Sequence, residues 1–185
     1  ADSITYSSCI LACEQGSNWT LALWFLEMME ANEIAYSTAI SACGKSAAWQ
    51  AALELLAMAD VNHVTCDAVV FNAAMSACER GTTWQVSLAL LERMSEKAIP
   101  KDVVSYSAVL TALERSEAWE AAVQLLEVMR RQRMPNVISY GAAMSACAKG
   151  QQWAMALSML AELQELGLQL GAVCYNTALM ACGQG

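Results

Sequence analysis

An all-α solenoid of helix-turn-helix repeats is the fold this chain predicts, on three observations. Six aromatics, Tyr6, Tyr36, Phe71, Tyr106, Tyr140 and Tyr175, lie 30, 35, 35, 34 and 35 residues apart. Each of the first five is followed thirteen residues later by a tryptophan: Trp19, Trp49, Trp84, Trp119 and Trp153. Seven residues after each aromatic comes Cys13, Cys43, Cys78, Leu113, Cys147 or Cys182, always behind an alanine. A period near 35 marks an array in which no unit buries its apolar face alone and stacking neighbours create the core. The repeats are residues 3–32, 33–67, 68–102, 103–136 and 137–171 with a partial sixth, 172–185. They form one array that reads as an excerpt from a longer protein.

Repeat three shows how each element arises. From Val69 to Arg80 the apolar residues Phe71, Ala74, Met75 and Cys78 recur at helical spacing, which predicts an amphipathic first helix. Gly81 follows where a helix end favours a left-handed residue, as Gly16 and Gly150 do elsewhere, with Ser46 and Ser116 as weaker stops. A second helix starts near Trp84 and carries Leu88, Leu90, Leu91 and Met94. Ile99-Pro100 then closes the repeat, because proline cannot continue a helix. Two helices per complete repeat and one from the sixth give an expectation of about eleven helices without a sheet. The anchor Tyr, Trp, Ala, Cys and Leu positions are assigned to the core. Repeat one is five residues short, because Glu30-Ala31-Asn32 replaces the usual tail.

Composition removes several classes of function. No stretch of about 18 residues lacks charged or strongly polar side chains, which argues against a membrane span. Five of the eight cysteines occupy the one repeat position that Leu113 fills in repeat four, so that position is a packing site. Equivalent residues also stand too far apart for a disulfide, and no metal-ligand cluster is present. Unpaired cysteines at this frequency suit a reducing compartment. The single histidine, His63, falls in a repeat tail, and neither a catalytic acid pair nor a glycine-rich phosphate loop appears. A binding module without cofactor is expected, not an enzyme.

The first helices carry a second stripe, offset from the aromatic one. It reads Ile34, Ser37, Ser41, Lys45; Val69, Asn72, Ser76, Arg80; Val104, Ser107, Thr111, Arg115; and Ile138, Gly141, Ser145, Lys149. Spacings of three, four and four put each set on one helical face. Four of the ten Lys and Arg residues fall on its last position, while Gln15 and Gln184 stand there in the end repeats. A cation at a helix C-terminus complements the helix dipole, but that does not account for the small polar residues beside it. Cations recurring once per repeat suit single-stranded nucleic acid, and small hydrogen-bonding groups equally suit an extended peptide. The net charge of −8 opposes nucleic acid, although eleven of the eighteen acids, Glu54 and Glu92 among them, lie in second helices and tails. Glu14, Glu79 and Glu114 directly precede the cation position and are expected about 100° off its stripe.

Val103-Val104-Ser105-Tyr106-Ser107, Asn136-Val137-Ile138-Ser139-Tyr140 and Leu125-Leu126-Glu127-Val128-Met129 resemble the pentatricopeptide repeat family. The related tetratricopeptide signature is absent, and the Trp opening each second helix departs from the commonest pentatricopeptide consensus. The resemblance implies a right-handed superhelix that binds single-stranded RNA at one base per repeat. It implies a role in organellar RNA processing, stability or translation, in mitochondria or plastids. Any targeting peptide would lie outside this chain. It further implies base-selecting pairs Ser7/Asn32, Ser37/Asp67, Asn72/Asp102, Ser107/Asn136 and Gly141/Gly171, reading A, G, U, A and an unassigned base from the 5′ end. Ile4, Ile34, Val69, Val104, Ile138 and Val173 would wedge between bases, and Lys45, Arg80, Arg115 and Lys149 would contact phosphate. Asp and Asn offer different donor and acceptor sets to a base edge, whereas Gly141/Gly171 has no side chain to read with. The alternative is a protein- or peptide-binding scaffold using the same groove. The end repeats expose faces shaped for a neighbour, so end-to-end self-association of the fragment is also expected.

Overall fold

The computed structural model describes residues 18–27, 33–81, 83–132, 134–167 and 172–183, together with Cys9, Ala12 and Gly16. Ten helices occur among them: α1 (Trp19–Glu27), α2 (Glu33–Ser46), α3 (Trp49–Val61), α4 (Ala68–Arg80), α5 (Trp84–Glu96), α6 (Val103–Arg115), α7 (Trp119–Arg131), α8 (Val137–Lys149), α9 (Trp153–Glu165) and α10 (Ala172–Gly183). No strand occurs among the described residues. The expected first helix of repeat one lies almost wholly outside them. The chain divides into two compact bodies, Ala1–Lys101 and Asp102–Gly185. In the first, α2 packs against α1, α3 and α4, and α4 against α3 and α5. In the second, α8 packs against α6, α7, α9 and α10.

Each hairpin between described helices turns within two or three residues, and the backbone accounts for how. The N–H of Ala48 donates to the Cys43 carbonyl at 3.1 Å, and the Ala48 carbonyl accepts from Ala52 N–H, also at 3.1 Å. Ala118 repeats this with Leu113 at 3.0 Å and Ala122 at 3.1 Å, and Gln152 with Cys147 at 2.8 Å and Ala156 at 3.2 Å. One residue thus closes the first helix in a Schellman-type bond and opens the second. Because the turn itself does this work, the second helices start without a side-chain cap bond at Ala48, Thr83, Ala118 and Gln152.

The aromatic anchors centre the cores. Tyr36, Phe71, Tyr106 and Tyr140 are all buried, and so are Cys43, Cys78, Leu113 and Cys147, as expected of a packing site. In the second body Tyr140, Met144 and Cys147 pack with Leu126, Met159, Leu163 and Cys174. A buried phenol needs a partner for its hydroxyl. Asn62 Nδ2 donates to Tyr36 Oη at 2.7 Å, while Tyr106 Oη donates to Gln132 Oε1 at 2.7 Å and Tyr140 Oη to Glu162 Oε1 at 2.7 Å. Phe71 has no hydroxyl, and the position 26 residues on, Lys97, turns to Asp60 of repeat two together with Arg93. Burial pushes the Asp60 carboxyl up, but the bonds and charges of Lys97 and Arg93 outweigh it and hold the group below the ordinary value. Burial also raises the Cys43 and Cys147 thiols to about 11, so they stay protonated and act as small apolar groups.

Three expectations need correction. Gly81 and Gly150 are not left-handed, with φ of −82° and −79°. The left-handed residue comes one position later and is not glycine: Ala47, Glu117 and Gln151 have φ of 56°, 56° and 58°, as do His63 (56°) and Ala98 (54°) after second helices. Glycine is present because the preceding repeat's tryptophan lies there. A Cβ on Gly81 would sit 2.4 Å from Trp49 Cδ1, and one on Gly150 would sit 2.3 Å from Trp119 Cδ1. Trp49 and Trp119 are accordingly half-buried lids on the neighbouring helix end, not core residues; Trp84 is half-buried too, and Trp153 is 48% exposed. The anchor Tyr175 is likewise 44% exposed, since no second helix covers it among the described residues.

Replacing Gly81 or Gly150 by alanine will therefore cost about 1–3 kcal/mol by overpacking against the indole. Ala98→Gly and Glu117→Gly, at left-handed positions, will instead add roughly 0.5–1 kcal/mol. Urea midpoints at unchanged m-values read both effects with opposite signs.

Candidate nucleic-acid interface

The exposed face of the first helices is built from their N-termini. Asp67 Oδ1 accepts from Val70 N–H at 3.0 Å and caps α4. Asp102 and Asn136 cap α6 and α8 in reciprocal boxes, each accepting from the serine N–H three residues on at 2.8 Å. In return the hydroxyls of Ser105 and Ser139 accept from the backbone N–H of Asp102 and Asn136 at 3.4 and 2.8 Å. These caps set where each helix begins and so which residues face outward. They are also three of the residues expected to select bases. Reading the sequence for bases alone missed the capping role, although Asp102-x-x-Ser105 and Asn136-x-x-Ser139 directly before an apolar run carry its signal.

One residue into the helix comes an exposed aliphatic: Ile34 (67% exposed), Val69 (65%), Val104 (59%) and Ile138 (68%). Nothing in the fold buries them, unlike the apolar residues of the other stripe. Three residues on lie Ser37, Asn72, Ser107 and Gly141, half-buried, followed by Ser41, Ser76, Thr111 and Ser145, half-buried as well. Lys45, Arg80, Arg115 and Lys149 close the stripe as exposed cations. Within each body the structure thus puts wedge, reading position and cation on one helical face. Ile4, Ser7, Asn32 and Gly171 lie outside the described residues, as does the side chain of Val173.

The cations have a second attachment. Arg80 Nη1 donates to the Lys45 carbonyl at 2.6 Å, and Lys149 Nζ to the Glu114 carbonyl at 3.3 Å. Each reaches the C-terminal end of the preceding repeat's first helix, where carbonyls lack helical partners and the dipole is negative. Glu114 turns to the next helix: its Oε1 accepts from Ser145 Oγ at 2.7 Å and from Lys149 Nζ at 3.4 Å. An acid preceding the cation of one repeat therefore faces the polar stripe of the next. In the second body Thr111, Glu114, Ile138, Gly141, Ser145 and Thr177 line an open cavity of about 380 Å³.

Helical hairpins of this period, with capped first helices presenting one aliphatic, small polar groups and a cation, define an α-solenoid binding module. The chain matches the pentatricopeptide repeat domain over residues 89–150 and the PPR repeat over 4–34 and 138–168, and it belongs to the pentatricopeptide repeat family. Its fold is similar to that of the pentatricopeptide repeat protein PPR10 from maize (TM-score 0.78, 20% identity, 99% of this chain and 27% of that chain). It is similar to PPR10 in complex with an 18-nt psaJ RNA element (0.79, 24%, 98% and 28%). The PPR domain of Arabidopsis thaliana protein-only RNase P 1 in complex with tRNA is also similar (0.77, 12%, 95% and 96%). No curated protein matches the chain.

Capping and reading separate by mutation. Asp102→Ala removes the cap of α6 and will cost about 1 kcal/mol of stability. Asp102→Asn keeps an accepting oxygen and will leave the urea midpoint nearly unchanged, so any altered RNA preference of that variant reports reading alone.

Proposed function

We propose that the chain is a sequence-selective single-stranded RNA-binding module reading about one base per repeat, in organellar RNA processing, stability or translation. The observation that carries this reading is the recurrence of Ile34, Val69, Val104 and Ile138, each about two-thirds exposed, at one site of four successive repeats. An aliphatic held in solvent at every repeat has no folding role and suits a flat, apolar partner face such as a base. Asn72 with Asp102, and Ser37 with Asp67, offer distinct donor and acceptor sets beside it. Arg80 uses one of five guanidinium donors on Lys45, which leaves donors for a phosphate. Family membership supports the same reading, and mitochondrion or plastid is its setting. The module binds without catalysing a reaction and uses no cofactor. The net charge of −8 favours the second reading, a scaffold for a basic extended peptide in the same groove.

Selection from a random single-stranded RNA pool tests the proposal. Enrichment of a motif containing A-G-U-A supports it, and a pool that stays unenriched overturns it in favour of the peptide scaffold. If the four cations each neutralise a phosphate, log affinity will fall against log salt with a slope of about −3, at roughly −0.7 per contact. Changing all four to Gln will flatten that slope and weaken binding to every sequence alike. Asn72→Ser copies the Ser37/Asp67 pair of repeat two and will move preference at that base from U to G, by about 1–3 kcal/mol at most, with the slope unchanged. Equal loss for all four bases would make Asn72 a packing residue.

A further inference from the structure

Repeat five is the one whose reading pair has no side chains, and by sequence it is indifferent to its base. The structure places a different reader there. A Cβ on Gly141 would meet nothing within 4 Å, so the glycine opens space at the reading position instead of admitting a close neighbour. That space belongs to the cavity of about 380 Å³, a volume typical of small-ligand sites. One turn further along α8, Ser145 Oγ donates to Glu114 Oε1 at 2.7 Å, which brings the carboxylate of the preceding repeat into the same cavity. Both of its contacts, with Ser145 and with Lys149, fall on Oε1. A carboxylate accepts at about four lone-pair sites, so it retains acceptor capacity toward a ligand. Its side chain is 27% exposed and within reach of solvent.

We infer that Glu114 is the specificity-determining residue of repeat five and selects guanine. This rests on the RNA-binding reading above and names the base for a position that reading leaves unassigned. The argument is one of donor count. A carboxylate only accepts, and it is best satisfied by two donors side by side, here one on Oε2 and one on Oε1 in place of the long 3.4 Å contact from Lys149. Guanine alone presents such a pair on its Watson–Crick edge, the ring N1–H and the exocyclic N2–H. Uracil offers one N–H between two carbonyls that a carboxylate repels. Adenine and cytosine each offer one amino group beside an accepting ring nitrogen. The open position at Gly141 admits a purine where a side chain would crowd it, and Lys149 offsets the carboxylate's repulsion of the backbone phosphates.

Four RNAs of sequence A-G-U-A-N, differing only in N, titrated against the 185-residue chain by fluorescence anisotropy, test this. The RNA with N as guanine will bind about 10-fold tighter than the other three. Glu114→Gln, which keeps shape but exchanges one acceptor for a donor, will remove that preference while binding to the other three RNAs persists. Gly141→Val will weaken the guanine RNA selectively, and thermal melts of both variants will verify folding. Equal affinity for all four RNAs, or a guanine preference that survives Glu114→Gln, overturns the assignment while leaving RNA binding intact. Failure of all four RNAs to bind overturns the RNA-binding reading and this assignment with it.

Discussion

The contact between a tryptophan and the end of the next repeat's first helix is the constraint on which the rest depends. Trp49 and Trp119 lie so close to Gly81 and Gly150 that no Cβ fits between them. The indole covers the last turn of the helix and fixes its distance from the preceding hairpin. That distance puts the terminal cation within reach of the preceding helix's last carbonyls, as Arg80 and Lys149 are. It also lets an acid such as Glu114 face the polar stripe of its neighbour. Within each body, adjacent repeats thus obtain their spacing from one large flat side chain, and the charge pattern follows from that spacing.

Much of this was legible in the sequence because a repeat states the same physics several times. The periodic Tyr, Trp and Cys positions foretold hairpins of two helices, and α4 and α5 lie within a residue of the span read from Val69, Arg80 and Trp84. The acceptance of Leu113 among cysteines identifies a packing site, and all four described residues at that position are buried. What escaped was geometry between repeats. Gly81 reads as a local backbone requirement, since a helix end and a glycine coincide so often, yet an indole 32 residues earlier lies against it. Tryptophan reads as core because it is large and apolar, whereas a residue opening a helix sits at the edge of the hairpin. The wedges were legible as positions, but their exposure was not, because an aliphatic beside a turn looks the same whether covered or bare.

The groove face is electrostatically mixed, which the net charge alone does not convey. Arg80 and Lys149 reach carbonyls of the preceding helix, and Lys149 also faces a carboxylate. Exposed ion pairs of this kind contribute little and rearrange readily, so they do not bar a polyanion from the face. They do lower the share of affinity that nonspecific attraction supplies. A module so arranged leans on base contacts more than one lined with unopposed lysines, and discrimination rises relative to strength.

The replacement of a phenol by a phenyl ring at Phe71 changes how the molecule deforms. Tyr36, Tyr106 and Tyr140 are fastened to the end region of their own repeat's second helix, through Asn62, Gln132 and Glu162. In repeat three the corresponding position, Lys97, instead joins Arg93 on Asp60 of the hairpin before. The strap from Arg130 to Glu162 is pinned by the Tyr140 hydroxyl, but the one on Asp60 consists of partly exposed charges alone. Such charges are screened by salt while apolar contacts and neutral bonds are not. The strap on Asp60 therefore loosens as the surrounding electrolyte strengthens, while the indole of Trp49 on Gly81 goes on holding repeats two and three together.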